Sequence, residues 1–87
     1  MFSPIFDEEW PTYFNNLSNE FKERVAKKIK QTLEFPKKRH LHGKASFIVA
    51  EVGQNRIIYK IFEKDNIVKF YFVGNHKEYE KWYKKYF

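Results

Sequence analysis

Residues 56–73 read RIIYKIFEKDNIVKFYFV and predict the β-hairpin that decides the fold. Both arms are rich in β-branched and aromatic residues, and the polar run at 63–66 has the composition of a turn. A two-residue turn at Asp65-Asn66 would shift the pairs but preserve both faces. With a four-residue turn the predicted pairs are Phe62–Ile67, Ile61–Val68, Lys60–Lys69, Tyr59–Phe70, Ile58–Tyr71, Ile57–Phe72 and Arg56–Val73. One face then carries only apolar or aromatic side chains, namely Ile57, Tyr59, Ile61, Val68, Phe70 and Phe72. A sheet buries such a face against another layer, so helices must cover it.

The opposite face of this predicted hairpin is cationic. It carries Arg56, Lys60, Lys69 and Tyr71. Lys60 and Lys69 pair directly across the strands, which is unfavourable for folding because like charges repel. Two interpretations remain open. The face binds the phosphates and bases of a nucleic-acid strand, or it is a solvated surface whose lysines maintain solubility.

The first third of the chain has helical periodicity. An apolar stripe recurs every four residues at Phe21, Val25, Ile29 and Leu33 and predicts one helix. Ser18 is its expected N-cap, and Pro36 ends it. A shorter helix precedes it, marked by Trp10, Phe14 and Leu17, with Asp7 as its cap or Pro11 in its first turn. Whether residues 2–6 form a strand stays open, since Pro4 would confine such a strand to an edge.

These patterns predict an α+β fold, in which two N-terminal helices pack on one face of a small antiparallel sheet and a short C-terminal helix follows. The strands are expected at residues 45–52, 56–62 and 67–73, and the last helix at 76–87. The shared core should contain Phe21, Val25, Ile29, Leu33, Ile57, Tyr59, Ile61, Phe70 and Phe72. In the terminal helix we expect Trp82 to be buried and Tyr79 to be partly exposed.

Composition narrows the class of protein. A chain of 87 residues makes a single domain, and its 21% aromatic content supplies a bulky core. The absence of cysteine excludes a disulfide scaffold and a thiolate zinc site. No apolar run approaches the ~18 residues of a membrane span and no secretory signal is visible, so we expect a cytoplasmic protein with no membrane partner. The net charge of +6 favours an anionic partner, which is a nucleic acid, a ribosome or an acidic protein.

Three short motifs, in this order, resemble those of the RelE/ParE superfamily of toxins from type II toxin–antitoxin systems. They are Leu41-His42-Gly43 before the sheet, Gly53-Gln54-Asn55-Arg56 at a hairpin turn, and Val73-Gly74-Asn75-His76-Lys77-Glu78-Tyr79 after the last strand. The last motif is similar to segments of the YafQ and HigB branches, which are mRNA interferases. The resemblance covers nearly the whole chain in element order, but the matched motifs total about a dozen residues.

The resemblance implies a ribosome-dependent endoribonuclease that uses no cofactor and no metal. It places His76 at the catalytic histidine, Arg56 at the superfamily's hairpin arginine, and Tyr79 near an aromatic residue that orients the cut nucleotide. It implies an antitoxin, the ribosome and mRNA as partners. The chain departs from the pattern at Phe72, where some YafQ-like chains carry a phosphate-binding arginine, and at Lys77, where other branches have arginine.

RNA cleavage without a metal needs a proton acceptor, a proton donor and cations at the phosphate. A histidine serves as acid or base near neutral pH, and Arg or Lys stabilises the developing charge. We therefore expect His76 to transfer a proton, with Arg56, Lys60 and Lys69 at the scissile phosphate and Tyr71 or Tyr79 stacked on a base. The expected RNA-binding residues are Lys60, Lys69, Tyr71, Lys77, His40, His42 and Lys44. His40 and His42 make a poor metal site at their spacing, so the loop that holds them contacts phosphate or is simply solvated.

Two other functions remain open on the sequence. Members of the superfamily that poison DNA gyrase share the fold without the nuclease activity, and fold does not settle function. A basic nucleic-acid-binding module without activity is the third interpretation.

Overall fold

The computed structural model describes the backbone of residues 1–35, 40–41 and 44–86, and the side chains of residues 1–35 and 47–85. Five strands and three α-helices make up this part of the chain. In order they are β1 (Ser3–Phe6), α1 (Trp10–Asn15), α2 (Asn19–Glu34), β2 (His40–Leu41), β3 (Lys44–Val52), β4 (Asn55–Phe62), β5 (Ile67–Asn75) and α3 (His76–Tyr86). The strands form one sheet in the order β1-β5-β4-β3-β2. The predicted α+β class and terminal helix are confirmed.

The N-terminal strand, which the sequence left open, is present at the sheet edge. It runs parallel to β5, with Ser3 beside Ile67 and Phe6 beside Phe70, so the sheet is mixed. The edge position accommodates Pro4, since proline has no N–H for a ladder on both sides.

The β4–β5 hairpin follows the predicted register over its first half. Phe62 pairs with Ile67 and Tyr59 pairs with Phe70, and a 3-10 turn with Asn66 in the left-handed region joins the strands. Beyond that point the register shifts by one residue. Tyr71 is the extra residue of a β-bulge, which places two residues of one strand against one of the other.

The bulge changes the face of the sheet on which each side chain in the last part of β5 lies. Ile58 pairs with Phe72, Ile57 with Val73, and Arg56 with Gly74. Val73 therefore joins the helix-covered core, and Phe72 lies on the opposite face, beside Ile58. The prediction that placed Phe72 beneath the two N-terminal helices, and the predicted pairs of Ile58 with Tyr71, Arg56 with Val73 and Ile57 with Phe72, are wrong for this reason.

The two N-terminal helices cover one face of the sheet. Ser18 caps α2 as predicted, because its Oγ accepts the Phe21 N–H at 3.3 Å, and Pro11 lies in the first turn of α1. The main core beneath the helices contains Trp10, Val25, Leu33, Ile48, Val52, Ile57, Tyr59, Val68, Phe70 and Val73, with Ile29 and Ile61 packed against it. Phe21 is only half-buried, and its ring lies 5.2 Å from the Arg24 guanidinium carbon.

The C-terminal helix covers the middle of the opposite face. Trp82 is 3% exposed and packs with Phe47, Ile58 and Phe72 in a second apolar cluster. At the far end of α3, Lys85 Nζ donates to both carboxylate oxygens of Glu9, at 3.0 and 3.2 Å. The prediction that Trp82 is buried is confirmed. Because α3 covers the centre, the cations of this face are divided between its two ends.

Candidate active site

A groove of about 590 Å³ lies at the end of the sheet where the β3–β4 turn meets the start of α3. Its lining comes from two chain segments, Glu51, Gly53, Gln54, Asn55 and Arg56 on one side and Asn75, His76 and Lys77 on the other. Imidazole, guanidinium, ammonium and carboxylate groups thus share one open site.

The β3–β4 turn is a two-residue connection that positions Arg56. Val52 pairs with Asn55, and Gly53 has a φ of +59°, a value that residues with a β-carbon disfavour. The Arg24 guanidinium of α2 also lies over this glycine, with Nη2 only 3.1 Å from where a Gly53 Cβ would be. Gly53 therefore allows both the turn and the close approach of Arg24 to a groove that already contains Arg56 and Lys77.

The start of α3 is fixed by a reciprocal capping arrangement. The Asn75 side-chain oxygen accepts the Glu78 N–H at 2.9 Å, and Glu78 Oε1 accepts the Asn75 N–H at 3.0 Å. His76 follows the cap as the first helical residue. Its side chain is 61% exposed, and Nε2 lies 2.9 Å from Oε1 of Glu80. The imidazole is therefore held on the surface of the groove and accessible to a ligand.

Arg56 and Tyr79 form a stacked pair between the turn and α3. The guanidinium carbon lies 4.8 Å from the centre of the Tyr79 ring, and the His76 ring centre lies 6.4 Å from it. Burial raises the pKa of the Tyr79 phenol, while the Arg56 charge opposes this shift. Tyr79 is partly exposed, as predicted. Arg56, Tyr79 and His76, which are far apart in the sequence, thus meet at one place.

A second cationic group surrounds Tyr71 at the other end of the same face. The Lys60 and Lys69 nitrogens lie 5.6 and 5.0 Å from the Tyr71 ring centre, and Lys60 also lies 4.4 Å from the ring centre of Phe47. Lys60 pairs directly with Lys69 as predicted, and Lys69 lies 3.9 Å from Asp7. Lys60 is four residues from Arg56 along β4, or roughly 13 Å. The predicted site residues are therefore divided between two locations.

Three residues of the predicted RNA-binding set lie wholly or partly outside the described part of the chain. His42 is outside the described residues, and His40 and Lys44 are described only as backbone at the β2–β3 edge. Within the described residues, no group of three or more His, Asp or Glu side chains is placed to hold a metal ion. None of the helices in the described part of the chain is long and apolar enough to cross a membrane.

Sequence reasoning missed two groups near the groove. Glu51 enters it because β3 pairs Glu51 with Arg56, a register that the sequence analysis did not assign. Arg24 lies off the apolar stripe that predicts α2, and its proximity to Gly53 depends on how the helix packs on the sheet. The capping arrangement could have been predicted from the sequence, because Asn75 precedes Glu78 by three residues at the start of a helix.

Comparison with solved structures places this fold among those of RelE toxins. The chain matches the isolated E. coli RelE toxin with a TM-score of 0.77 and 20% identity over 100% of both chains. It matches a chain of the intact E. coli RelBE toxin–antitoxin complex with a TM-score of 0.77 and 22% identity, over 86% of this chain and 96% of that one. It matches a chain of the RelB–RelE antitoxin–toxin complex from Methanococcus jannaschii with a TM-score of 0.74 and 13% identity, over 90% of this chain and 96% of that one.

Protein-family models and curated protein sequences gave no match. The solved structures nevertheless define the structural class. They cover nearly the whole of this chain, including the helices on one face of the mixed sheet and the short terminal helix. The chain has the fold of RelE toxins, as the resemblance in its motifs implied.

Proposed function

We propose that this chain is the toxin of a type II toxin–antitoxin system and that it cleaves mRNA on the ribosome without a metal. The observation that carries the proposal is that His76 and Arg56 line one open groove and that the Tyr79 ring lies beside both of them. The fold shared with RelE toxins supports the class of protein. The net charge of +6 supports an anionic substrate.

Four side chains of this site have separate tasks in this chemistry. His76 transfers a proton during attack of the 2′-OH on the adjacent phosphorus. Arg56 and Lys77 stabilise the negative charge that develops on the phosphate. Tyr79 presents an aromatic face, supported from one side by Arg56, on which a base of the cut codon stacks.

The second cationic group, Lys60, Lys69 and Tyr71, extends RNA binding to the other end of the face. A phosphate bound there lies too far from His76 for chemistry, so this group contributes to affinity and orientation. Since the groove is open and shallow, the ribosome supplies the remaining positioning of the mRNA.

An antitoxin is the expected protein partner. Solved structures that share this fold include complexes of RelE with RelB. A basic toxin surface suits an acidic or amphipathic antitoxin segment, and the association should depend strongly on salt.

The proposal is tested by single-turnover cleavage on programmed ribosomes. His76→Ala should lower the rate by ~10²–10⁴-fold, the usual scale for loss of an acid–base group, and leave ribosome binding nearly intact. Arg56→Ala should lower both rate and binding. Because His76 is exposed, the melting temperature of His76→Ala should hardly change.

Glu80→Gln is the matched control, since it removes the carboxylate that lies 2.9 Å from His76 Nε2, leaves the imidazole in place and should retain cleavage. Overproduction should halt growth, and co-expression of the neighbouring partner gene should restore it. If the folded wild-type protein leaves mRNA intact on ribosomes, the proposed nuclease activity is contradicted. A gyrase cleavage assay then distinguishes a gyrase-directed toxin from an inactive binding module.

A further inference from the structure

We propose that Arg24 of α2 binds the RNA phosphate next to the scissile one, where the strand passes over the β3–β4 turn. The inference rests on the proposed nuclease function and adds a substrate contact to it. Arg56 on β4 and Lys77 on α3 line the groove, whereas Arg24 comes from the helices that cover the other face of the sheet. The contact joins both layers of the fold around one RNA strand.

The β3–β4 turn brings Arg24 to the rim of the groove. Gly53 lines the groove and is the first residue of the turn, with the positive φ that glycine readily adopts. The two terminal nitrogens of the Arg24 guanidinium lie 3.1 and 3.3 Å from the place that a Gly53 Cβ would occupy. The guanidinium therefore lies directly beside a glycine that forms part of the groove wall.

Arg24 is held in position, while its charge stays available. Its guanidinium carbon lies 5.2 Å from the centre of the Phe21 ring, one helical turn away. The side chain is exposed, and no carboxylate among the described side chains forms an ion pair with it. An ordered guanidinium loses less entropy on binding, and its planar fork matches two oxygens of a phosphate. Arg24 thus has the geometry and the charge for an RNA phosphate.

Arg24 and Arg56 are close enough to contact phosphates of the same strand. Gly53 precedes Arg56 by three residues, so their Cα atoms are at most about 11 Å apart. The pairing of Val52 with Asn55 shortens this distance further, because the chain reverses between them. Both arginines have long side chains, so the two guanidinium groups can contact phosphates that are separated by one nucleoside.

A purely structural role for Arg24 makes a different prediction. If the side chain only packs on Phe21 and the turn, Arg24→Ala should lower stability, and any loss of RNA affinity should be the same for every substrate. The experiment therefore has to ask whether Arg24 responds to one particular phosphate.

The first measurement is single-turnover cleavage on programmed ribosomes over a range of ribosome concentrations. Arg24→Ala should raise the half-saturating concentration by ~10-fold, the scale of one charged hydrogen bond. The rate at saturation should stay near wild type, and the slope of log affinity against log salt should fall by about 0.7. Arg24→Lys should retain part of the affinity, because it keeps the charge but loses the planar fork. Lys30→Ala is the matched control, since it removes another exposed cation of α2 and should change affinity little.

The second measurement places a neutral methylphosphonate at one of the two phosphates that flank the cut. The sugar before it is 2′-deoxy for chemical stability, and an mRNA with the same sugar and an ordinary phosphate is the reference. With wild type, neutralising one of these two phosphates should raise the half-saturating concentration by ~10-fold. Arg24→Ala should show no further loss with that substrate, whereas Lys77→Ala should remain sensitive to it.

Equal losses for wild type and Arg24→Ala at both flanking positions overturn the inference and leave the nuclease function standing. Wild-type affinity and salt slope in Arg24→Ala lead to the same conclusion, and weaker binding of a partner protein by this variant would then assign the arginine to that interface. Should Arg24→Ala fail to fold, Arg24→Gln takes its place, because it keeps most of the packing on Phe21. A folded wild-type protein that leaves the unmodified mRNA intact overturns both.

Discussion

Asn75 and Glu78 each accept the backbone N–H of the other, and this exchange fixes where α3 begins. The cap sets the direction of the two residues between them, His76 and Lys77, both of which line the groove. The cap therefore orients the histidine that we propose transfers a proton.

Loss of this cap should affect stability and cleavage together. Asn75→Ala should lower the free energy of unfolding by about 1 kcal/mol, the usual cost of an N-cap, and should also reduce the single-turnover rate because the start of α3 loosens. Ser18→Ala is the control. It removes the cap of α2, which lies outside the groove, and should cost similar stability while cleavage stays unchanged. Equal cleavage by the two variants at a temperature where both are folded would contradict the orienting role.

Gly74 should tolerate no side chain. A Cβ at this position would lie within 3 Å of Phe72 Cζ and of Glu78 Oε1, so Gly74→Ala requires the Phe72 ring and the capping carboxylate of Glu78 to move. We expect a loss of about 1–3 kcal/mol in chemical denaturation, the usual cost of overpacking. A second substitution, Phe72→Leu, removes the ring atom that lies at 2.7 Å and should recover part of this loss. A Gly74→Ala variant as stable as wild type would contradict the close packing.

The sequence predicted those parts of the fold that depend on local pattern. The Ser18 cap, the β4–β5 turn and the first pairs of that hairpin follow from residue type and alternation, and they are confirmed. The bulge at Tyr71 was not predictable from alternation, because Phe72 and Val73 are both apolar and either can face the helices. Tertiary packing decides where Phe72 lies, because its ring packs against Tyr13 of α1 at 4.9 Å and against Trp82 of α3 at 5.7 Å.

Motifs singled out His76, Arg56 and Tyr79, and the structure places the three side chains near one another. Their roles in cleavage stay predictions. The separation of Lys60 and Lys69 from that group depends on α3 covering the middle of the face, which is a tertiary packing effect. Glu51 depends on the pairing of β3 with β4, for which the sequence analysis assigned no register.

The two lysines at the far end should contribute to binding and not to chemistry. Lys60→Ala and Lys69→Ala should each weaken binding to ribosomes, more strongly at low salt. Each should also lower the slope of log affinity against log salt by about 0.7–0.9 for every phosphate that is no longer neutralised. The rate at saturation should remain near wild type.

Lys64→Ala, in the exposed turn, is the control for a solvated lysine. If Lys60→Ala and Lys64→Ala bind ribosomes equally well, the face is only solvated. Lys60→Ala should then show a small gain in stability, because its repulsion with Lys69 is removed.

Tyr79 links stability to alkaline pH. Burial favours the neutral phenol and raises its pKa above the ordinary value of 10.0, although the charge and hydrogen bond of Arg56 act in the opposite direction. A group whose pKa is raised on folding stabilises the fold below its unfolded pKa, and this contribution is lost as pH rises from there through the folded pKa. Wild-type stability should therefore fall above about pH 10 more steeply than that of Tyr79→Phe, which has no proton to lose.

Chemical denaturation at several pH values, together with an NMR titration of the Tyr79 ring, measures both effects. Arg56→Ala should raise the Tyr79 pKa further, because the opposing charge is gone. In cleavage assays Tyr79→Phe should remain active, since it keeps the ring, whereas Tyr79→Ala should lose a stacking contribution of ~1–3 kcal/mol. A Tyr79→Phe variant whose stability falls with pH as steeply as wild type would show that burial of the phenol has no role in the alkaline limit of the fold.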